Sequence, residues 1–154
     1  MASSGGATTR AFAGAVAGTS IRLVIVAHAV GFFFLPRVCG SLNELRATGH
    51  TIVCRTHALS GLERALSRSP RIGSGSHTEA IAEAFRRTTV VGLKVAVECV
   101  LIAADQGAVS VTSEVIAVGG TEEGADTVLM IRPANTASFF DLQVREVVAM
   151  PRNR

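Results

Sequence analysis

The chain has 154 residues, of which 48% are hydrophobic and 18% are charged, and its formal net charge is +3. This composition supplies a core for one domain and excludes an intrinsically disordered chain. Because Trp and Tyr are absent and the Arg residues are scattered, the composition also argues against a nucleic-acid interface, which needs aromatic platforms or a basic stripe.

Hydrophobic periodicity and turn residues predict helices that alternate with strands. In chain order these are a helix at residues 8–16, a strand at 21–27, a helix at 39–48, a strand at 51–55, helices at 59–67, 77–88 and 93–106, and strands at 114–118, 127–132 and 143–150. Alternation of this kind predicts an α/β fold with a mainly parallel sheet and helices on both faces. The last strand alternates in hydrophobicity, which is typical of an exposed edge.

The apolar run at residues 23–35 is too short to span a bilayer. Arg22 and about twenty Gly/Ser/Ala-rich residues precede it, which does not fit a signal peptide. We therefore expect a cytoplasmic protein without membrane contact. Cys39, Cys54 and Cys99 are expected to be free thiols, and the spacing of the His and Cys residues predicts no metal site.

The serine–glycine loop (residues 3–8) is the first candidate site, because ligands of parallel sheets bind beyond the carboxyl ends of the strands. Its glycines expose backbone N–H groups, its hydroxyls are donors, and the following helix offers its positive end to a phosphate. The alternative is a frayed or capping segment. The candidate ligands in this loop are Ser3, Ser4, Gly5, Gly6 and Thr8.

Two histidines, His28 and His57, also follow predicted strands. Each can bind a ligand or act as an acid–base group, and each can instead be structural. Further candidates beyond strand ends are Gly119, Gly120, Thr121, Arg132 and Asn135. A tight turn at the glycines and a salt bridge at Arg132 are the competing interpretations.

Glu98 and Asp105 lie seven residues apart on the apolar helix at 93–106, and so share one face. A carboxylate at position 98 should be buried and either paired or raised in pKa. A pair between Lys94 and Glu98, one turn apart, is one interpretation; a ligand-binding or acid–base role for Glu98 or Asp105 is the other. Phe139 and Phe140 are expected to contribute to the core or to a homo-oligomer contact.

Five segments of the chain resemble the pyruvate kinase C-terminal (alpha/beta) domain family, and in particular its small stand-alone members of unassigned function. They are HALSGLERALSR from His57, HTEAIAEAFR from His77, LKVAVECVLIAADQGAV from Leu93, EVIAVGGTEEGADTVLMIRPANTASFFD from Glu114, and REVVAMPRNR at the end.

The resemblance implies one domain over residues 1–154: a three-layer sandwich with strand order 3-2-1-4-5 and an antiparallel edge strand at the C-terminus. It implies no pyruvate kinase activity, because the catalytic barrel has no room in this length. In the full enzymes a Thr/Ser–Gly loop holds the phosphate of a sugar bisphosphate, and the serine–glycine loop occupies the corresponding place.

Family members usually carry a helix and most of the first strand upstream. The resemblance therefore also implies that Met1 is not the natural start or that the N-terminus has been altered, and that a gap or exposed edges lie between the strands at 21–27 and 114–118.

Sequence and resemblance together give three expectations for function. The first is a domain that binds a phosphate-bearing small molecule, either a sugar phosphate or a mononucleotide such as FMN. The second is an enzyme acting on such a ligand, with Glu98 or His57 as its acid–base group. The third is a truncated homologue that binds nothing.

Overall fold

The computed structural model describes residues 1–29, 42–71 and 75–152. Its elements in chain order are β1 (Ala2–Ser3), α1 (Ala7–Ala15), β2 (Val24–His28), α2 (Asn43–Ala47), β3 (Thr51–Arg55), α3 (Leu62–Ser67), α4 (His77–Thr88), α5 (Val91–Asp105), β4 (Val115–Gly119), β5 (Thr127–Arg132), a 3-10 helix (Thr136–Asp141) and β6 (Gln143–Ala149). The α/β prediction is confirmed, while Cys39 and the expected start of the second helix lie outside the described residues.

The strands form two three-stranded sheets rather than one continuous ladder. In the first sheet β1, β2 and β3 are parallel neighbours, with Ala2 opposite Val26 and Val26 opposite Val53. In the second sheet β4, β5 and β6 are antiparallel. The prediction of a mainly parallel sheet is therefore wrong for β4, β5 and β6. The connection at 120–126 is too short for the crossover that a parallel pair would need.

Helix α5 packs against both sheets and joins their cores. Its residues from Gly92 to Ala104 are buried with the exception of Val95. One side, including Leu101, packs with Leu129 and Ile131 of the second sheet. Another side, including Ile102, packs with Val26 and Val53 of the first. A helix that is apolar on nearly all sides is expected for such a central position.

An apolar groove of about 440 Å³ lies between β2 and β4. It is lined by Val24 and Val26 on one side and by the β4 residues 115–118 on the other. At its end the ammonium group of Met1 donates a hydrogen bond to the carbonyl of Val24 at 2.7 Å. The groove lies between the two strands for which the resemblance implied a gap or exposed edges.

The cysteines differ from expectation. Cys54 is disulfide-bonded, so the prediction of a free thiol is wrong there. Cys99 is a free, buried thiol, and burial raises its pKa to about 11. Such a thiol is not a nucleophile at neutral pH. None of the helices in the described ranges is long and apolar enough to cross a bilayer.

The start of α4 depends on Ser76, whose Oγ accepts a hydrogen bond from the backbone N–H of Glu79 at 3.0 Å. Glu63 accepts from the N–H groups of His77 and Thr78. The carboxylate of Glu79 bonds Ser67 and Arg68, so it does not reach back to the N–H of Ser76, as the acidic residue of a capping box would.

We expect Ser76→Ala to lower the free energy of unfolding by about 1 kcal/mol, because one N–H group of the first turn loses its acceptor. Ser76→Asn keeps an acceptor at the same position and serves as the control. Urea unfolding of both variants measures the difference. Equal losses in the two variants would contradict a capping role.

Candidate functional site

A pocket of about 700 Å³ opens at the carboxyl ends of β1, β2 and β3. The serine–glycine loop forms one wall, and α5 forms the opposite wall through Lys94 and Glu98. His28 and His57 line the pocket between them, and the turn at 120–124 closes one side. The structure therefore brings together residues that lie almost a hundred positions apart in the sequence.

The serine–glycine loop turns directly from β1 into α1. Gly6 precedes the helix with φ 86°, a left-handed conformation that favours glycine, and no side chain in the described ranges caps the helix start. Ala7 and Thr8 line the pocket. The first N–H groups of α1 therefore remain available to an acceptor in the pocket.

A chain of hydrogen bonds crosses the pocket from the loop to α5. Ser4 Oγ lies 3.2 Å from His28 Nε2, His28 Nδ1 lies 2.9 Å from His57 Nε2, and His57 Nδ1 lies 3.1 Å from Glu98 Oε2. The two imidazole rings are inclined by only 15°, with centroids 5.1 Å apart. That separation fits two rings bonded edge to edge rather than stacked face to face.

When both imidazole rings are neutral, the Glu98 carboxylate fixes the direction of every bond in this chain. Its pKa is about 2, so the carboxylate is ionised and can only accept. His57 Nδ1 must then carry a hydrogen, which leaves Nε2 as an acceptor in the neutral ring. His28 Nδ1 must donate to it, and His28 Nε2 in turn accepts from the hydroxyl of Ser4.

The low pKa of Glu98 results from competing effects. Burial alone raises it, but the hydrogen bond from His57 and the charge and hydrogen bond of Lys94 outweigh burial. The backbone N–H of Leu59 also donates to Glu98 Oε1 at 2.8 Å. The predicted Lys94–Glu98 pair is thus confirmed, with both side chains almost fully buried. A raised pKa for Glu98 is not what the structure shows.

For His28, burial lowers the pKa first and the neighbouring His57 lowers it further, against the opposing effect of Glu98. His28 is therefore neutral at neutral pH, as the bond directions require.

Three arginines that the sequence did not single out also line the pocket: Arg55, Arg64 and Arg86. Arg64 and Arg86 are paired with Glu79 and Glu83 on α4. Arg55 donates to the neutral acceptors Gln106 Oε1 and the Cys54 carbonyl, both at 2.9 Å. Its positive charge is thus not neutralised by these two contacts. Glu122 and Glu123, in the turn at 120–124, add negative charge to the pocket lining.

Arg132 and Asn135 are not in the pocket. Because β5 is antiparallel to β4, with Gly119 opposite Thr127, the end of β5 lies at the opposite edge of the sheet from the end of β4. Asp105 also lies away from the pocket: it accepts hydrogen bonds from Asn135 and Thr136 and so anchors the 3-10 helix. The expectation that Arg132 and Asn135 line the same mouth as Ser4 is therefore wrong.

The predicted glycine turn has mixed roles. Gly120 lines the pocket, whereas Gly119 packs against α5, where an added Cβ would lie 2.2 Å from the Gly92 carbonyl oxygen. Thr121 donates its backbone N–H to Asp126 Oδ2 at 2.9 Å. This contact supports the tight-turn interpretation for Thr121.

A cluster of three or more His, Cys, Asp or Glu side chains that could hold a metal ion does not occur within residues 1–29, 42–71 and 75–152. No family model matches the chain.

Proposed function

We propose that the pocket binds a phosphate-bearing small molecule, either a sugar phosphate or a mononucleotide such as FMN. One observation carries the proposal: an uncapped helix start and two serines open into the same cavity as the positively charged Arg55. Backbone N–H groups at a helix start and a guanidinium group are the donors that phosphate recognition uses most.

Ser3 supports the same proposal. Its side chain is only 7% exposed, it lines the pocket, and its Oγ has no hydrogen-bond partner in the part of the chain that the structure describes. A buried hydroxyl without a partner is costly. A phosphate oxygen in the loop would accept its hydrogen bond and remove that cost.

The pocket also has the size of a small-molecule site, since such sites span about 300–1,000 Å³. Its apolar side, formed by Val26, Val95 and Ile102, suits a ring or an aliphatic part of the ligand. The ligand would thus be held at its phosphate by the loop and at its other end by this wall.

We further propose that the fold is that of the pyruvate kinase C-terminal (alpha/beta) domain. The order of β3, β2 and β1 in the first sheet and the antiparallel β6 at the edge of the second support it. Phe140 is 93% exposed, which supports a contact with a second copy, whereas Phe139 packs on the core.

The test is isothermal titration of the purified protein with inorganic phosphate and with FMN. We expect both to bind, and Ser4→Asp to weaken FMN binding at least about tenfold, because the new carboxylate repels the phosphate. Arg55→Gln should weaken it in the same direction by removing a cation. Arg145→Gln, an exposed arginine of β6 paired with Glu114, is the control and should change nothing.

Two outcomes would overturn the proposal. One is the absence of binding by both phosphate and FMN, which favours a homologue without a ligand. The other is an affinity for FMN that is the same in Ser4→Asp and Arg55→Gln as in the Arg145→Gln control. That result would place the site elsewhere.

A second candidate function is an enzyme acting on a ligand in this pocket. The hydrogen-bond chain from Ser4 to Glu98 favours it specifically.

A further inference from the structure

We infer that Ser4 is the nucleophile of an acyl-transfer site that hydrolyses carboxylic esters, with His28 as its general base and His57 and Glu98 as positioning residues. A serine becomes nucleophilic when a base accepts its proton and a further group orients that base. Ser4, His28 and the His57–Glu98 pair have this arrangement, with consecutive polar atoms 2.9–3.2 Å apart.

The direction of the hydrogen bonds is the strongest argument. When both imidazole rings are neutral, a chain anchored on an ionised carboxylate leaves a lone pair at its far end, on His28 Nε2, and that lone pair faces the Ser4 hydroxyl. The reverse polarity would make His28 a donor to Ser4 and would not activate it. The relay of hydrogen bonds from Ser4 through His28 and His57 to Glu98 resembles a Ser-His-Asp triad with one extra histidine. The extra histidine, His57, lengthens the relay but leaves the direction of its hydrogen bonds unchanged.

The location of Ser4 fits this chemistry. Ser4 is exposed, whereas the neighbouring Ser3 is buried, so Ser4 is the more accessible of the two hydroxyl groups. It lies on the turn between β1 and α1, a strand–turn–helix position like that of nucleophilic serines in α/β hydrolases. The N–H groups at the start of α1 lie on the same loop and can stabilise an oxyanion.

The reaction uses only the ester and water. Ser4 Oγ attacks the carbonyl carbon and its proton moves to His28 Nε2, while the carbonyl oxygen becomes an oxyanion held by the α1 N–H groups. The C–O bond to the alcohol then breaks, and His28 returns the proton to the departing oxygen. Water attacks the acyl-Ser4 ester, gives a proton to His28, and the carboxylic acid and the Ser4 hydroxyl are released.

The pocket charges indicate an ester that also carries an anionic group, since Arg55 is not neutralised by its two contacts. The inference does not need the phosphate ligand proposed above. It needs only the relay and the α1 N–H groups. If the pocket both binds phosphate and hydrolyses esters, inorganic phosphate should compete with the ester, because phosphate and the oxyanion of the ester use the same α1 N–H donors.

The experiment uses a fluorophosphonate probe, which forms a covalent bond with activated serines, followed by peptide mass spectrometry. We expect one label, on Ser4, and loss of the label in Ser4→Ala. His28→Gln should slow labelling by about a hundredfold or more, the usual share of a general base. Ser110→Ala, an exposed turn serine outside the pocket, should label like the unaltered protein.

Hydrolysis of p-nitrophenyl acetate gives a second readout. The rate should rise with pH through the ionisation of His28, with a midpoint below the ordinary histidine pKa. In His57→Gln the rate should fall and the midpoint should move up, because the charge that His57 carries when protonated is one of the effects that lower the pKa of His28. A merely structural His57 would not move the midpoint.

An unlabelled Ser4 in the folded protein would overturn the inference, as would labelling that His28→Gln leaves unchanged. Titration of the unaltered protein with FMN separates this inference from the proposed function. FMN binding by the unaltered protein, together with loss of labelling in Ser4→Ala, supports both. FMN binding without any Ser4 reactivity overturns the inference alone.

Discussion

Glu98→Gln is expected to lower the free energy of unfolding at neutral pH by about 3–5 kcal/mol, the usual loss when one partner of a buried ion pair is removed. The Lys94 side chain is only 3% exposed, so its ammonium group would keep its burial and lose its counter-charge. The N–H of Leu59 and His57 Nδ1 would also lose an ionised acceptor.

The same carboxylate should determine acid stability. Its pKa is lowered from 4.5 to about 2, so its contribution is fully present above pH 4.5 and is lost as the pH falls toward 2. A shift of this size corresponds to about 3 kcal/mol. Glu98→Gln should therefore lose less stability than the unaltered protein over this interval.

Urea unfolding across this pH interval measures both effects. The double variant Lys94→Met/Glu98→Leu is the matched control, because it removes both charges together and should be more stable than Glu98→Gln. The assignment of this pKa would be contradicted if the free energy of unfolding fell with pH in Glu98→Gln by as much as in the unaltered protein.

Gly119→Ala is expected to lower the free energy of unfolding by about 3 kcal/mol, which is near the upper end of the usual loss when a core is overpacked. The added Cβ would lie 2.2 Å from the Gly92 carbonyl oxygen and 2.8 Å from the Ala96 nitrogen. Both are backbone atoms of α5, so the contact can be relieved only if helix and strand separate.

Because α5 carries Lys94 and Glu98, that separation should also disturb the pocket. Gly14→Ala is the control, since its added Cβ meets no atom within 4 Å and alanine is favoured within α1 by about 0.5–1 kcal/mol. Thermal melting of both variants measures the difference. A Gly119→Ala protein as stable as the unaltered one would contradict the close packing of α5 on β4.

The meeting of Ser4, His28 and His57 could be predicted from the sequence because it follows a simple geometric rule. Ser4, His28 and His57 each come at or just after the end of β1, β2 or β3. Neighbouring parallel strands end at one edge, so these side chains meet there. Lys94 and Glu98 are one helical turn apart, and their predicted pair also depends on local spacing alone.

The remainder required information that local patterns lack. Strand direction decided the location of Arg132, and the short connection at 120–126 was the signal that pointed to an antiparallel pair. Arg64 and Arg86 reach the pocket from α3 and α4, and their positions depend on how these helices pack. The relay itself could not be foreseen, because it depends on side-chain orientation at three separate strand ends and on α5.

The most direct test of the account is the tautomer of each pocket histidine, measured by long-range proton–nitrogen NMR on protein labelled with nitrogen-15 at histidine. His28→Gln and His57→Gln assign the signals. We expect each ring to carry its hydrogen on Nδ1 and none on Nε2, because the Glu98 carboxylate directs the chain toward Ser4. A hydrogen on Nε2 of either ring, or a doubly protonated His28, would contradict it.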